Sequence, residues 1–510
     1  MRYGFVIDHN RCIGCHACTV ACKEEHNVPL GVYRTWVKYI EKGAFPNAKR
    51  HFGVLRCNHC DAAPCIEICP TVALFRREDG IVDFDNERCI GCKSCMQACP
   101  YDALYIDPQT HTAAKCNFCS HRVEVGLEPA CVIVCPEQAI IAGDLDNPAS
   151  HVSRIVADQS VRARKPEKGT KPKLFYIGID EDLLAPNRIE PQPTYLWVEK
   201  NPAEDLYSLT GEQKEKPASS RAREVYDVPH PAPWGSKIAA YLWTKSIGAG
   251  ALIVAAILLT LGFDNRLSLF NIVSPSIALV FTFLTFLLLV LDLKRPERFY
   301  YLLTKPNLRS WLVLGGYVLM FYSLLALLWL FSAIRNGSVP MVIAWLAGAL
   351  GVCAACYSAL LFAQAKGRDL WLSPFFVWNL LAQAVTAGAA VLLICAISLE
   401  VGADLINTLA KVLAASVALN VSIILAELYL SKATEDARRA TDLLKRGPLR
   451  ESFWAGAIGF GALLPLVLLI ASGFRAEADV AYILASVFSL IGLWIFEDLW
   501  IKAGQAVPLS

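Results

Sequence analysis

The sequence predicts a small α+β domain followed by an all-α bundle of eight membrane-crossing helices. Two observations predict this division. Sixteen of the 19 cysteines lie between Cys12 and Cys135. From about residue 236 onward the sequence turns into long apolar stretches broken by short charged loops. The mean hydropathy of +0.40 averages over these two regimes. The expected partition is 1–144 for the cysteine domain, 145–235 for an extension and linker, and 236–510 for the bundle. A net charge of +2 gives no reason to expect a nucleic-acid partner.

The cysteines come first. A disulfide framework suits small secreted proteins, but residues 1–11 contain no apolar export segment and no twin arginine. Dense cysteine in that context reads as metal binding. Cys12-x2-Cys15-x2-Cys18-x3-Cys22 is the run of a bacterial ferredoxin, and Cys89-x2-Cys92-x2-Cys95-x3-Cys99-Pro100 repeats it. Cys57-x2-Cys60-x4-Cys65-x3-Cys69-Pro70 has one longer gap, and Cys116-x2-Cys119-x11-Cys131-x3-Cys135-Pro136 a much longer one. Thiolates are soft donors that suit iron–sulfur clusters or zinc. Structural zinc also uses C-x2-C pairs, but four related C-x2-C…C-x3-C runs match clusters better. Gly4–Asp8 precedes Arg11-Cys12-Ile13-Gly14-Cys15, and Gly80–Asp85 precedes Arg88-Cys89-Ile90-Gly91-Cys92. This repeat of a β-rich run, a turn and cysteines predicts a ferredoxin-like α+β domain. Tyr101–Ile106 reads as a returning strand.

The stretches Cys57-Asn58-His59-Cys60-Asp61-Ala62-Ala63-Pro64-Cys65 and Cys116-Asn117-Phe118-Cys119-Ser120-His121-Arg122 resemble the electron-transfer subunit of the DMSO reductase and polysulfide reductase class of molybdoenzymes. The resemblance implies that the runs exchange their fourth ligands. One cluster takes Cys12, Cys15 and Cys18 with Cys135, and a second takes Cys116, Cys119 and Cys131 with Cys22. A third takes Cys57, Cys60 and Cys65 with Cys99, and the last takes Cys89, Cys92 and Cys95 with Cys69. All sixteen ligands are present, which implies four [4Fe–4S] clusters rather than any three-iron centre. Lys23 stands where the other runs have proline and affects no ligand.

Residues 145–235 are rich in Pro, Lys, Arg and Glu. The charged run 162–170 reads as an exposed loop, and 174–178 as a strand. Pro191-Gln192-Pro193 and the three prolines of 229–233 cannot sit inside helices. The segment reads as an extension packed on the cysteine domain, with plain disorder an alternative for 200–230.

Eight apolar windows follow, near 240–263, 269–291, 310–333, 340–364, 374–398, 405–430, 453–473 and 479–500. Each is long enough to cross a bilayer. An even number returns the chain end to the side of the cysteine domain. That side carries fourteen Lys and Arg in its loops, from Lys294 to Lys432 and Lys502, against Arg266, Arg335, Lys411 and Arg475 opposite. The positive-inside rule then puts the cysteine domain in the cytoplasm, on an inner-membrane protein of many passes. All nine histidines lie at or before His230, so the bundle offers none of the histidine ligands a haem b needs, and no haem is expected in this chain. Cys353, Cys356 and Cys395 read as small buried residues.

Electrons leaving the clusters must then meet a lipid-soluble acceptor near the cluster-side surface, and a quinone (menaquinone or ubiquinone) is the natural one. Charges inside a span are expensive and usually functional. Lys245, Asp292, Glu427, Glu497 and Asp498 all fall toward that side, and Tyr317, Gln364, Asn379, Gln383 and Asn420 could add hydrogen bonds. The seven candidate quinone contacts are Lys245, Asp292, Tyr317, Gln364, Glu427, Glu497 and Asp498. Interfacial placement, or snorkelling for Lys245, is the ordinary alternative.

Pro233-Trp234-Gly235-Ser236-Lys237 and Asp292-Leu293-Lys294-Arg295-Pro296-Glu297-Arg298-Phe299-Tyr300 resemble the NrfD or polysulfide-reductase membrane subunit. That resemblance implies a bundle that binds quinone near the cluster domain, with Lys245 in the place of a histidine found in some relatives. Together the two resemblances describe a fused electron-transfer and quinone-reactive subunit, whose partner is a molybdopterin subunit with Mo or W. The alternatives are a redox-driven proton-translocating module and a subunit of an alternative complex III-like quinol oxidoreductase.

Overall fold

A computed structural model describes residues 1–43, 46–190, 222–264, 267–430, 434–474 and 478–510. Pro191 to Pro193, most of 200–230, Arg266, Lys432 and Arg475 lie outside the described residues.

The N-terminal domain is built from short strands and short helices around the cysteine runs. β1 (Tyr3–Asp8) is the centre of a three-stranded sheet, antiparallel to β8 (Ile140–Asp144) and parallel to β9 (Leu174–Ile177). β2 (Thr35–Lys42) lies between β3 (Lys49–Arg56) and β10 (Arg223–Tyr226) in a second sheet. Two hairpins, β4 (Leu74–Arg76) with β5 (Val82–Phe84) and β6 (Leu104–Ile106) with β7 (Ala113–Lys115), connect successive cysteine runs. The expected returning strand is therefore shorter than Tyr101–Ile106. Each run closes through a helix of a few turns at most: α1 (Ala17–Glu25), α2 (Pro64–Ile68), α3 (Ser94–Ala98), α4 (Ser120–Val123) and α5 (Ala130–Ile133). Gly14 and Gly91 sit inside C-x2-C loops at φ of 72° and 68°, where any other residue is strained. A Cβ on Gly91 would also run into Lys294 of the bundle.

The extension corrects one expectation. The run 162–170 is not a solvated loop, because Arg164, Lys165 and Thr170 are buried. Arg164 donates to the Leu509 carbonyl at 3.0 Å, and Lys168 pairs with Asp369. Arg164 Nη2 and Lys168 find their partners across the contact between the two halves, while Lys165 Nζ and Arg164 Nε are buried with no hydrogen-bond partner among the described residues.

Among the described residues of the C-terminal part, eight helices are long and apolar enough to cross a membrane. These are α6 (Ser236–Thr260), α7 (Leu269–Asp292), α8 (Trp311–Asn336), α9 (Met341–Ala363), α10 (Phe375–Ser398), α11 (Ala403–Leu430), α13 (Ser452–Ala471) and α14 (Asp479–Ala506). Between them α12 (Glu435–Lys445) buries Ala437, Ala440, Leu443 and Leu444 on one side, capped by Thr434 accepting from the Ala437 N–H. α6 is the hub: 89% of its most apolar window is buried, and it packs on α7, α9, α10 and α14. Small residues let backbones meet, as is usual between spans. Gly250 of α6 lies against the backbone of Ala384 and Gly388 of α10, and Gly461 lies against Gly492.

Candidate functional site

All sixteen N-terminal cysteines are free of disulfides. The structure gathers them into four groups of four, each drawn from two runs. Cys12, Cys15, Cys18 and Cys135 line one hollow. Cys89, Cys92, Cys95 and Cys69 line another. Cys22 faces Cys116, Cys119 and Cys131. Cys65 faces Cys57, Cys60 and Cys99. Backbone N–H groups point at the sulfurs, with Gly91 and Ala113 both 3.4 Å from Cys89 and Ala139 at 3.3 Å from Cys135. Soft thiolates in convergent quartets with amide donors are the donor set an iron–sulfur cluster requires.

The groups follow one another in space. Cys18 of the Cys12 group faces Cys131 of the Cys116 group, Cys57 faces Cys116, and Cys95 faces Cys65. The order is therefore the Cys12, Cys116, Cys57 and Cys89 groups. At the first end Cys15 is exposed. Apolar Ile13, Val20, Ile133 and Val134 stand in water beside it.

At the other end the bundle grips the loops of the Cys89 group. Asp292, ending α7, holds Lys93 at 2.8 Å. The Lys294 and Arg295 amides donate to the Gly91 and Ile90 carbonyls. Arg298 donates to the Cys89 carbonyl at 3.0 Å, Asn307 to that of Cys69 at 2.8 Å, and Trp234 Nε1 to that of Cys92 at 3.3 Å. Arg368 donates to Gln97 Oε1 at 2.8 Å, and Gln97 donates to Gln505 at 2.6 Å. Gln505 in turn accepts from the Trp234 N–H at 2.9 Å.

Below this contact lies Lys245. It is 2% exposed and does not snorkel. Its amine donates to the Ala355 carbonyl at 2.8 Å and to Ser358 Oγ at 2.7 Å, both on α9, and stands 5.1 Å from the Tyr357 ring centre. Tyr241 Oη is 3.5 Å from the same Ser358 hydroxyl. Glu497, 3% exposed on α14, is within electrostatic reach of the amine, and neither of its oxygens has a hydrogen-bond partner among the described residues. A buried amine and a buried carboxylate with free lone pairs can bind and protonate a polar ligand.

The structure gives the other sequence candidates different surroundings. Asp292 is engaged with Lys93. Gln364 closes the α8 entry, donating to the Arg309 carbonyl and accepting from the Trp311 N–H. Asp498 pairs with Lys502 at 2.5 Å, one turn along the same helix. Tyr317 is half-buried on α8. Glu427 is buried near Ser373, with Oε2 unpartnered among the described residues. Asn379 accepts from both Gln383 and Asn420 at 3.2 Å, deep in the bundle.

Residues 224–508, more than half of the sequence, match the family described as Polysulphide reductase, NrfD. This protein belongs to that family. Residues 49–145 match a 4Fe-4S dicluster domain. The sequence is 45% identical to a tetrathionate reductase subunit of Salmonella typhimurium, over 39% of this chain and 80% of that protein. It is 43% identical to a polysulfide reductase chain of Wolinella succinogenes, over 34% and 94%. It is 36% identical to the arsenate respiratory reductase iron-sulfur subunit ArrB of Shewanella sp., over 35% and 96%. One polypeptide thus joins an iron–sulfur module to an NrfD membrane module. It is the electron-transferring, membrane-anchoring subunit of an oxidoreductase.

Several contacts of the NrfD module are not visible in sequence. Ser358, Tyr241 and Tyr357 carry no motif, since hydroxyls in apolar helices are common. Lys93 reads as an ordinary loop lysine until Asp292 comes opposite. The loop 292–300, by contrast, is conspicuous in sequence as a charged, proline-containing break, and it docks on the Cys89 run.

Proposed function

We propose that this chain carries electrons between a partner's catalytic centre and a membrane quinone, through four [4Fe–4S] clusters held by the four cysteine groups. Residues 1–144 carry the clusters, 145–235 are the extension and linker, and 236–510 form the quinone-reactive bundle. The partner is a molybdopterin subunit with Mo or W, as in the reductase class this chain resembles, and it docks where Cys15 and its apolar neighbours are exposed. The cluster domain faces the cytoplasm at the inner membrane, in keeping with the loop charges.

The observation that carries the quinone assignment is Lys245 beside Ser358 and the unpartnered Glu497. Glu497 lies eight residues before Gln505 on α14, about 12 Å of helix from the contacts that hold the Cys89 group. A cluster held by that group would thus be the one nearest a quinone bound beside Lys245 and Glu497. Quinone reduction takes two electrons and two protons. Lys245 and Ser358 would donate hydrogen bonds to a bound quinone, and Lys245 and Glu497 are the groups that would pass it the two protons. The clusters, when bound, supply single electrons in sequence.

Lys245→Met tests this assignment. Iron content and chemical reduction of the clusters should stay at wild-type levels, while quinone-linked turnover falls roughly 100-fold, the scale of a lost proton-donating group. Unchanged turnover in that variant would remove Lys245 from the site. Metal analysis of the complex purified through this chain tests the partner. Molybdenum or tungsten beside iron supports the molybdopterin subunit, and c-type haem in their place supports the complex III-like alternative.

A further inference from the structure

Arg56 ends β3 and immediately precedes Cys57, yet its side chain turns away from the Cys57 group. It is 1% exposed. Its Nη1 donates to Cys131 Sγ at 3.0 Å, and it faces Cys18 and Cys116 as well. The guanidinium lies 4.7 Å from the Phe5 ring centre, and Phe5 stacks on Phe118 at 4.1 Å. Nε and Nη2 are buried and have no protein partner among the described residues. Among the described residues it forms no ion pair with a carboxylate. A buried guanidinium is ordinarily paired with a carboxylate. Here the facing groups are thiol sulfurs, from the Cys12 group on one side and the Cys116 group on the other.

We propose that Arg56 sets the reduction potentials of the clusters in the Cys12 and Cys116 groups, raising both and so keeping electrons moving between them. The inference rests on the four-cluster reading above. Cluster potentials follow net charge and hydrogen bonds to sulfur, and Arg56 supplies both. Each one-electron reduction adds negative charge, and a fixed cation with N–H groups aimed at the sulfurs favours the reduced form. Because one cation faces two groups, it also lowers the cost of placing an electron on either while the other is occupied. Buried as it is, the guanidinium is screened less than a surface charge. Arginine suits this place better than lysine, since its planar fork can address two directions at once and it stays protonated when buried.

The test is a potentiometric titration of the full-length holoprotein in mild detergent, followed by electron paramagnetic resonance, with iron and labile sulfide measured on each sample. Wild type, Arg56→Gln and Arg56→Lys are compared. At a potential poised on the wild-type midpoint, Arg56→Gln should lower the reduced-to-oxidised ratio at least tenfold in two of the four centres. Tenfold corresponds to 59 mV for a one-electron couple. The other two centres should titrate as in wild type, and Arg56→Lys should recover more than half of the shift. Wild type lacking the four centres would overturn the cluster reading and this inference with it. Arg56→Gln with full iron and unchanged titration would overturn the inference alone. Equal loss of iron from both variants would make Arg56 a scaffold residue and overturn it too.

Discussion

His230 is held between two carboxylates, with Nδ1 2.5 Å from Asp102 and Nε2 3.4 Å from Asp227. Asp227 also binds Lys38 at 2.8 Å. The coulombic pull of Asp102, then Asp227, outweighs burial and raises the His230 pKa to about 10. A raised folded-state pKa stabilises the protein fully below the unfolded value of 6.5, and the contribution is lost as pH climbs through 10. Thermal stability should therefore decline between pH 7 and pH 10, and His230→Asn should flatten that decline while lowering the pH 7 midpoint by at least about 3 °C. Loss of cluster absorbance on heating is the readout, and an unchanged pH profile in the variant would count against the network. At this scale the sequence is legible where partners are near along the chain. The cysteines announce themselves because three ligands of each of two runs, Cys12 to Cys18 and Cys89 to Cys95, fall within seven residues. Lys245 announces itself as a charge in an apolar span. Arg56 does not, because Cys131 is 75 positions away and no local pattern connects them.

The eight spans follow directly from hydropathy, since each is a continuous apolar stretch and the bilayer sets its length. What hydropathy does not tell is which span is central. α6 becomes the hub through its small residues, which matter only when α10 presents Gly388 opposite Gly250. A Cβ on Gly250 meets the Ala384 carbonyl and the Gly388 backbone, which cannot swing aside as a side chain does. Overpacking typically costs 1–3 kcal/mol, and Gly250→Val should reach about 3 kcal/mol or more. The expected result is a lower apparent Tm in detergent and a broadened size-exclusion peak. A variant as stable as wild type would show that α6 and α10 can part without penalty. The charged run 162–170 misleads for a related reason. Charge patterns report polarity, and its partners at Asp369 and Leu509 lie more than 190 residues further on.

For the whole molecule, the junction is held by polar contacts from loops and helix ends, with Leu361, Trp311 and Leu312 of the bundle joining the apolar core of the cysteine domain. Asp292 and Lys93 form one of its buried ion pairs, with side chains 11% and 7% exposed, beside Lys168 and Asp369. Asp292→Asn leaves the Lys93 charge buried without its counter-charge, a loss of about 3–5 kcal/mol by precedent for such pairs. The clusters should stay loaded while protease separates the two halves faster and electron transfer from clusters to quinone slows. Wild-type proteolysis and transfer rates would show that the pair does not hold the junction. Of this contact the loop 292–300 and Trp234 in the stretch 233–237 stand out in sequence, and the rest does not, because pairing across two domains leaves no periodic trace in either.

α6 is also the first of the eight spans to leave the ribosome, and it is the one whose surface belongs almost wholly to its neighbours. On entering the bilayer it presents Lys245 to lipid, at about 2.5–3.5 kcal/mol for a lysine at mid-helix. α9 arrives three spans later with Ser358, and α14 arrives last with Glu497. The centre of the bundle is thus laid down before anything exists to surround it, and biogenesis has to shelter this helix until the final segment closes over it.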